Sequence, residues 1–256
     1  MTLNAAYGAK PPHQPSGLQA RVSPLSKIPQ RSFEFAALRK DGSLIIGQDS
    51  APAIHLFENA FSAFARGTLI TTPTGDVAVE DLQPGDMIST ADGGAQKLVW
   101  VGSSNFVPAD AGRRLPLCRI MPDAFGRSRP QNYLTLGPAA RILHTPHEMR
   151  AETGEKRMLV SLNSFVDGVN VIEVVPPTPI RLFHLCLEQH AVMLASGIEI
   201  ESYHPGANAT LSVSEALRSR FLSMFPHIDR ISDFGPVACP RAPEPTEEVQ
   251  VGLFTA

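Results

Sequence analysis

Short runs of β-branched and apolar residues, separated by turn sequences, dominate the chain from residue 67 onward. The segment GTLITTPTGDVAVEDLQPGDMISTADGGAQKLVWVG, residues 67–102, has turn signals at 73–75, 84–86 and 92–94. The runs between turns are about four to eight residues long, which suits strands and is short for helices. Such regular spacing predicts an antiparallel sandwich or a closed sheet, so the predicted fold class is all-β.

The same pattern extends toward both ends of the chain. Runs near 32–38 and 43–48 flank the turn pair Asp41-Gly42 and predict an N-terminal β-hairpin. The run AIHLFENAF, residues 53–61, is too short to be assigned to a helix or a strand. Further strands are predicted at 115–121, 132–136, 140–144, 157–160, 169–174, 181–187 and 190–195.

One helix is predicted, over SVSEALRSRFLSMF at residues 212–225. Ser212 and Glu215 have the spacing of a capping box, and Pro226 is expected to end the helix. Its apolar side chains share one face, which is expected to be buried: Leu217, Phe221, Met224 and Phe225.

Composition and patterning divide the chain into five predicted segments. Residues 1–30 are a Pro-rich leader and residues 241–256 an acidic, Pro-rich tail, and both are predicted to be disordered. Between them lie a hairpin extension at 31–60, the main β domain at 61–205, and an extension with a helix at 206–240.

Several function classes are disfavoured by the bulk properties. The net charge of −3 and the lack of basic runs argue against a nucleic-acid partner. Cys118, Cys186 and Cys239 form no CxxC motif, so buried thiols are expected, although one disulfide stays possible. No membrane span or secretory signal is visible, which predicts a soluble, cytoplasmic protein or export without a conventional signal peptide.

No constellation for small-molecule catalysis stands at an informative spacing. We therefore predict no cofactor, no metal and no small-molecule substrate, and leave a protein partner possible. The run His144-Thr-Pro-His147-Glu148 could suggest a metal site, but Pro146 breaks any helix that would align the two imidazoles.

Four blocks resemble, in the same order, those of a bacterial Hint domain, the hedgehog/intein family. They are ARGTLITTPTGDVAVEDLQPGDMISTADGGAQKLVWVG (65–102), LTLGPAARIL (134–143), KRMLVSLNSFVDGVNVI (156–172) and FHLCLEQHAVMLASGIEIESY (183–203). A later segment, FPHIDRISDFGPVACP, resembles the C-terminal extension of the bacterial subgroup. The resemblance runs from about 61 to 240 and implies a disc of intertwined antiparallel strands, with 61–205 as the Hint domain.

The resemblance also implies where self-processing chemistry would lie. In members that self-process, an initial Cys or Ser attacks the preceding carbonyl, and a histidine protonates the leaving nitrogen. Alignment on Gly67-Thr68 places Ala63 at the nucleophile position, and the tetrapeptide 137–140 places Ala140 at the histidine position. His190 matches a histidine of the closing strands, and it is either a remnant of the site or a hydrogen-bonded structural residue.

Neighbouring side chains are poor substitutes for the two missing groups. Ser62 stands one residue before Ala63, and in a strand its side chain would point to the opposite face. His144 lies roughly 13 Å along the strand from Ala140, given ~3.3 Å per residue. Cys118 and Cys186 are in mid-chain and cannot rearrange the peptide bond before residue 63.

Other tempting residues have structural explanations. Asp86 is expected to accept backbone N–H groups in the Pro-Gly-Asp turn. Glu80 and Asp81 are expected to lie in a short helical turn. Trp100 is expected to be a core residue. The sequence thus predicts a Hint-domain protein that has lost self-cleavage and acts as a structural or interaction module. The alternative is an autoproteolytic domain that uses an unusual nucleophile such as Ser62.

Overall fold

The computed structural model describes residues 28–110, 114–145, 157–206 and 208–243. Within these residues, strands paired in antiparallel fashion form two sheets, and the two α-helices are short. The all-β prediction is therefore confirmed, including the N-terminal hairpin and the C-terminal helix.

The elements follow one another as a long series of short strands. In chain order they are β1 (Gln30–Leu38), β2 (Leu44–Pro52), α1 (His55–Ala60), β3 (Phe64–Ala65), β4 (Leu69–Thr72), β5 (Gly75–Ala78), β6 (Met87–Ser89), β7 (Ala95–Phe106), β8 (Leu117–Ile120), β9 (Leu134–Leu136), β10 (Arg141–His144), β11 (Met158–Ser161), β12 (Val171–Val174), β13 (Ile180–Leu187), β14 (Val192–Ala195), β15 (Ile198–Glu201) and α2 (Glu215–Ser223).

The larger sheet has the order β12-β8-β9-β3-β13-β7-β1-β2, and β6 pairs separately with β7. The smaller sheet has the order β11-β10-β15-β14-β4-β5. Strand β3 is only two residues long, yet it lies between β9 and β13 near the middle of the larger sheet. This topology brings the chain just before β3 into contact with segments far away in sequence.

The N-terminal hairpin extends the larger sheet, because β1 pairs with β7 as well as with β2. The ambiguous run at 53–61 forms the short helix α1, and its apolar side chains are buried. Phe221 of helix α2 and Phe225, two residues beyond its end, pack on the same side. Trp100 is fully buried among these rings and donates from Nε1 to the Met224 carbonyl oxygen at 2.7 Å. The prediction that Trp100 is a core residue is therefore confirmed.

Two predicted boundaries are wrong. Helix α2 begins at Glu215, and its N-cap is Ser214, whose hydroxyl accepts the Leu217 N–H at 3.4 Å. The predicted capping box at Ser212 fails because a cap must directly precede the first helical residue.

The predicted disordered tail also begins too early. Ala242 is buried and donates its N–H to the Leu159 carbonyl oxygen at 2.9 Å. The leader 1–27 and the rest of the tail lie outside the described residues.

The turn carboxylates of the first block have the expected structural roles. Asp86 Oδ2 accepts the Gln83 N–H at 2.8 Å in the Pro-Gly-Asp turn. Glu80 lies in a short 3-10 turn with Asp81, and its Oε2 accepts the Gly67 N–H at 2.8 Å. These carboxylates are committed to backbone groups, so they stabilise the entry to β4 and β6.

Candidate functional site

The Ser62–Ala63 peptide lies between the end of α1 and the start of β3. Phe64, in β3, pairs with Phe183 of β13 on one side and with Leu136 of β9 on the other. Both Ser62 and Ala63 are fully buried. The peptide that a nucleophile at position 63 would attack is thus held inside the larger sheet.

Hydrogen bonds fix this peptide at both of its polar atoms. The Ala63 N–H donates to the Phe183 carbonyl oxygen at 2.9 Å, and the Ser62 carbonyl oxygen accepts the Ala139 N–H at 3.1 Å. The Ala63 carbonyl oxygen accepts the Gly137 N–H at 2.8 Å. The structure therefore places the segment 137–140, which carries Ala140, directly against the Ser62–Ala63 peptide.

Gly137 approaches the Ser62 carbonyl so closely that no side chain fits. A Cβ atom on Gly137 would lie 2.1 Å from the Ser62 oxygen and 2.8 Å from its carbonyl carbon. A glycine at this position therefore permits the two backbones to touch. Any larger residue at this position would need the two segments to move apart.

The two alanines at the predicted positions carry methyl groups. A methyl group has no lone pair to attack a carbonyl and no proton to donate. Ala63 and Ala140 are both buried within the same hydrophobic core. The Ser62–Ala63 peptide is thus held in place, and neither alanine side chain can act on it as a nucleophile or an acid.

Ser62 is engaged with the backbone of the preceding helix. Its Oγ donates to the Glu58 carbonyl oxygen at 2.6 Å, an arrangement that satisfies the last turn of α1. The carbonyl that Ser62 would have to attack, that of Phe61, accepts the Ser104 hydroxyl at 3.0 Å. A backbone carbonyl cannot take the serine proton as a general base, so the Ser62 hydroxyl is not activated here.

The three thiols are free, so the disulfide left open by the sequence does not form; Cys118 and Cys186 are buried, and Cys239 is half-buried. Burial raises the pKa of Cys118 to about 12, with a smaller contribution from Glu173, and burial alone raises that of Cys186 to about 12. A thiol attacks as the thiolate, and at neutral pH almost none forms at either residue.

His190 is hydrogen-bonded through both ring nitrogens. Its Nδ1 accepts the Ala238 N–H at 2.7 Å, so the ring proton is on Nε2, which donates to Glu201 Oε1 at 2.9 Å. The residue ties the C-terminal extension to β15. These bonds fit the structural interpretation of His190 and leave it no free nitrogen for proton transfer.

His144 packs against two aromatic rings. Its ring centroid is 6.4 Å from that of Phe125 and 5.2 Å from that of Phe165, and burial lowers its pKa. His147 and Glu148 lie outside the described residues.

Across 28–110, 114–145, 157–206 and 208–243, no group of His, Cys, Asp or Glu side chains is placed to hold a metal ion. The same residues include no helix long and apolar enough to cross a membrane.

A buried ionic cluster beside this site was missed by sequence reasoning. Glu201 is almost fully buried, and its carboxylate meets Arg241 Nε at 2.8 Å and Arg141 Nη1 at 3.7 Å. Burial raises the pKa of Glu201, but the His190 hydrogen bond and the two guanidiniums outweigh it and hold that pKa below its ordinary value. The residues come from three distant segments, and no local motif signals their meeting.

His184 also escaped notice, and it lies on β13 beside the site. Its Nδ1 donates to the Asn59 carbonyl oxygen at 2.8 Å, because a carbonyl can only accept. Complete burial, the largest cause, lowers its pKa to about 4, so the ring is neutral at pH 7. His184 thus links β13 to helix α1, whose last turn leads into the Ser62–Ala63 peptide.

The match to a family model agrees with the resemblance in the sequence. Residues 62–207, more than half of the chain, match the Hint domain family. The MchDnaB-1 intein aligns in structure with a TM-score of 0.36 and 13% identity, over 55% of this chain and 100% of that one. A bacterial intein-like domain from Clostridium thermocellum aligns with a TM-score of 0.36 and 11% identity, over 56% and 99%. No curated protein sequence matches the chain. The family match over residues 62–207 shows that the chain belongs to the Hint domain family.

Proposed function

We propose that this Hint-domain chain does not process itself and serves as a structural or interaction module with a protein partner. The observation that carries the proposal is the environment of Ala63. The Ser62–Ala63 peptide is held by Phe183 and Ala139, while the side chain that should attack it is a buried methyl group. A positioned electrophile without a nucleophile does not react.

The close approach of Gly137 supports the same conclusion. In this chain the segment 137–140 has packed against Ser62 at a distance that excludes any side chain at position 137. Ala140 then completes the hydrophobic core where an imidazole would otherwise need space and polar partners. The packing at Gly137 and Ala140, and not only the identity of residues 63 and 140, therefore argues against self-processing.

The alternative, an active domain with Ser62 as nucleophile, meets an obstacle at the hydroxyl itself. Ser62 Oγ donates to the Glu58 carbonyl oxygen, which cannot take its proton as a general base. Turning the hydroxyl toward the Phe61 carbonyl would give up this hydrogen bond, which is worth about 0.5–1.5 kcal/mol.

A trapping experiment separates the two proposals. An attack by Ser62 would form an ester with the Phe61 acyl group, and hydroxylamine would cleave it into fragments 1–61 and 62–256. We expect no fragments from the wild-type chain or from Ser62→Ala. Cleavage of the wild type that disappears in Ser62→Ala would establish the alternative and refute the proposal.

Ala63→Cys is the informative companion variant. Its thiol would stand next to the Ser62 carbonyl, which Ala139 already polarises. A shift to the thioester, followed by dithiothreitol, would give fragments 1–62 and 63–256. We expect slow, thiol-dependent cleavage, because no histidine is present at position 140 to protonate the leaving nitrogen.

A further inference from the structure

A cavity of about 440 Å³ lies beside the Ser62–Ala63 peptide, between α1 and the segment that follows β15. Its volume falls within the range of about 300–1,000 Å³ that is typical of small-molecule sites. Ala139, whose N–H holds the Ser62 carbonyl, forms part of its wall. Neither the two alanines of the site nor the proposed module function accounts for this space.

His184 lines the cavity from β13 and is only 5% exposed. Its Nδ1 donates to the Asn59 carbonyl oxygen at 2.8 Å, so Nε2 of the neutral ring carries a lone pair and can only accept. Burial lowers the pKa of His184 to about 4, which keeps the ring neutral at pH 7. Among the residues that the structure describes, none donates a hydrogen bond to Nε2. The wall therefore holds a buried acceptor that the protein itself does not pair.

Tyr203 adds a second polar group to the same wall. Its ring centroid is 5.0 Å from that of His184, and the residue is 4% exposed. No hydrogen bond joins the Tyr203 hydroxyl to any other residue in the described part of the chain. Most buried polar side chains in proteins are hydrogen-bonded. Two adjacent groups of this kind in one cavity wall indicate that a polar group of a ligand is their partner.

The charged side chains of the wall, by contrast, are paired with one another. Glu201 accepts from Arg241 Nε at 2.8 Å and from His190 Nε2 at 2.9 Å. Arg141 Nη1 lies 3.7 Å from the other carboxylate oxygen of Glu201. Arg241 also donates from Nη2 to the His204 carbonyl oxygen at 2.7 Å. A charged ligand would compete with these buried pairs, and breaking such a pair is costly. The pairing therefore favours a neutral ligand.

The cavity also has an apolar side. Ile54 and Leu56 contribute to it from the start of α1, and Ala209 and Val213 from the segment before α2. A hydrocarbon or aromatic group placed against these side chains removes apolar surface from water, which is favourable. Water alone can donate to His184, but it leaves the apolar side hydrated. The lining thus suits a molecule that has both a donor group and an apolar body.

We propose that this cavity binds a small neutral alcohol or phenol. The ligand hydroxyl donates to His184 Nε2, and the apolar body lies against Ile54, Leu56 and Val213. An ether or a hydrocarbon of the same shape has no proton to donate and leaves Nε2 unpaired. A carboxylate has none at pH 7 either, and it would compete with Glu201 for the guanidiniums. This binding does not depend on whether the chain processes itself.

A series of matched probes tests the proposal on the full chain. The probes are phenylpropanol, its methyl ether, propylbenzene and phenylpropionate. Binding is measured by calorimetry and by the fluorescence of Trp100, the only tryptophan, whose ring centroid is 5.8 Å from that of Tyr203. We expect phenylpropanol to bind saturably and roughly five-fold tighter than its ether, which is the gain from one net hydrogen bond. Propylbenzene and phenylpropionate should also bind more weakly than phenylpropanol.

Three variants locate the binding. Ala209→Phe fills the cavity from its half-buried wall and should abolish phenylpropanol binding, whereas Ala95→Phe, at an exposed position outside the cavity, should leave it unchanged. His184→Phe keeps a ring but removes the acceptor, so phenylpropanol and its ether should then bind equally.

The proposal is overturned if phenylpropanol does not bind saturably to the wild-type chain, or if the ether, the hydrocarbon or the carboxylate binds as tightly. Binding that survives Ala209→Phe, or a preference for the alcohol that survives His184→Phe, would overturn it as well. The comparison of probes on the wild type decides by itself if His184→Phe does not fold.

Discussion

Glu58→Gln is expected to lower the free energy of unfolding by about 3–5 kcal/mol, because it breaks a buried ion-pair network on one side only. Glu58 Oε1 lies 3.0 Å from Arg31 Nε and 3.4 Å from Arg114 Nε. Arg114 is 1% exposed, and its remaining carboxylate, Asp110, is 3.9 Å away. The variant therefore leaves the buried Arg114 guanidinium with Asp110 as its nearest carboxylate among the described residues.

The network matters because it joins three parts of the fold. Arg31 belongs to β1, Glu58 to α1, and Asp110 with Arg114 to the segment after β7. Burial is the largest cause of the lowered pKa of Arg114, and Glu58 opposes it. Without Glu58, the buried guanidinium keeps the neutral Asn105 carbonyl oxygen at 3.4 Å and the Asp110 carboxylate at 3.9 Å.

Urea unfolding at pH 7 measures the effect, with Glu34→Gln as the matched control. Glu34 also pairs with an arginine, Arg181, but both side chains are more than 40% exposed. Loss of such a pair changes stability by less than about 1 kcal/mol. Equal losses in the free energy of unfolding for Glu58→Gln and Glu34→Gln would show that the buried network stabilises the fold no more than an exposed ion pair does.

Gly137→Ala is expected to destabilise the chain by about 3 kcal/mol, at the upper end of the cost of overpacking a core. The added Cβ would meet the Ser62 carbonyl oxygen at 2.1 Å. That oxygen belongs to backbone fixed by Ala139 and Phe183, so it cannot move aside without breaking their hydrogen bonds. The variant therefore reports on the geometry of the candidate site itself.

Gly94→Ala is the control for this variant, again by urea unfolding. Its Cβ would approach the side-chain oxygens of Asp92 at 3.3 Å and Thr90 at 3.4 Å, in an exposed turn. Both approaches are longer than 3.0 Å, and the exposed Asp92 carboxylate can adjust, so we expect a change within about 1 kcal/mol. A Gly137→Ala protein as stable as the wild type would mean that segments 62–63 and 137–140 are not in contact.

Much of the fold could be predicted from local sequence. The turn at Asp41-Gly42 and the runs beside it predict the hairpin, because turn chemistry and strand length are properties of neighbouring residues. The order of the strands in a sheet, by contrast, does not depend on neighbouring residues alone. The two-residue strand β3 has no pattern of its own, and its place between β9 and β13 depends on pairings with residues more than 70 positions away.

The sequence predicts two candidate site positions but not what surrounds them. The family resemblance located Ala63 and Ala140, and the structure places the segment of Ala140 against the Ser62–Ala63 peptide. The sequence did not predict the cluster of Arg141, Glu201 and Arg241, because its members come from separate segments. A single charged residue, taken alone, is expected to lie at the surface. Ser212 and Ser214 were equally good capping residues by type, and only the helix start decides between them.

The most direct test of the central claim is the intact mass of the purified wild-type chain after prolonged incubation at neutral pH, with and without dithiothreitol. A chain that kept the Hint fold and lost its nucleophile should give one species at 27.6 kDa under both conditions. Two fragments whose masses add up to the whole chain, with the first ending at Phe61 or Ser62, would contradict the account.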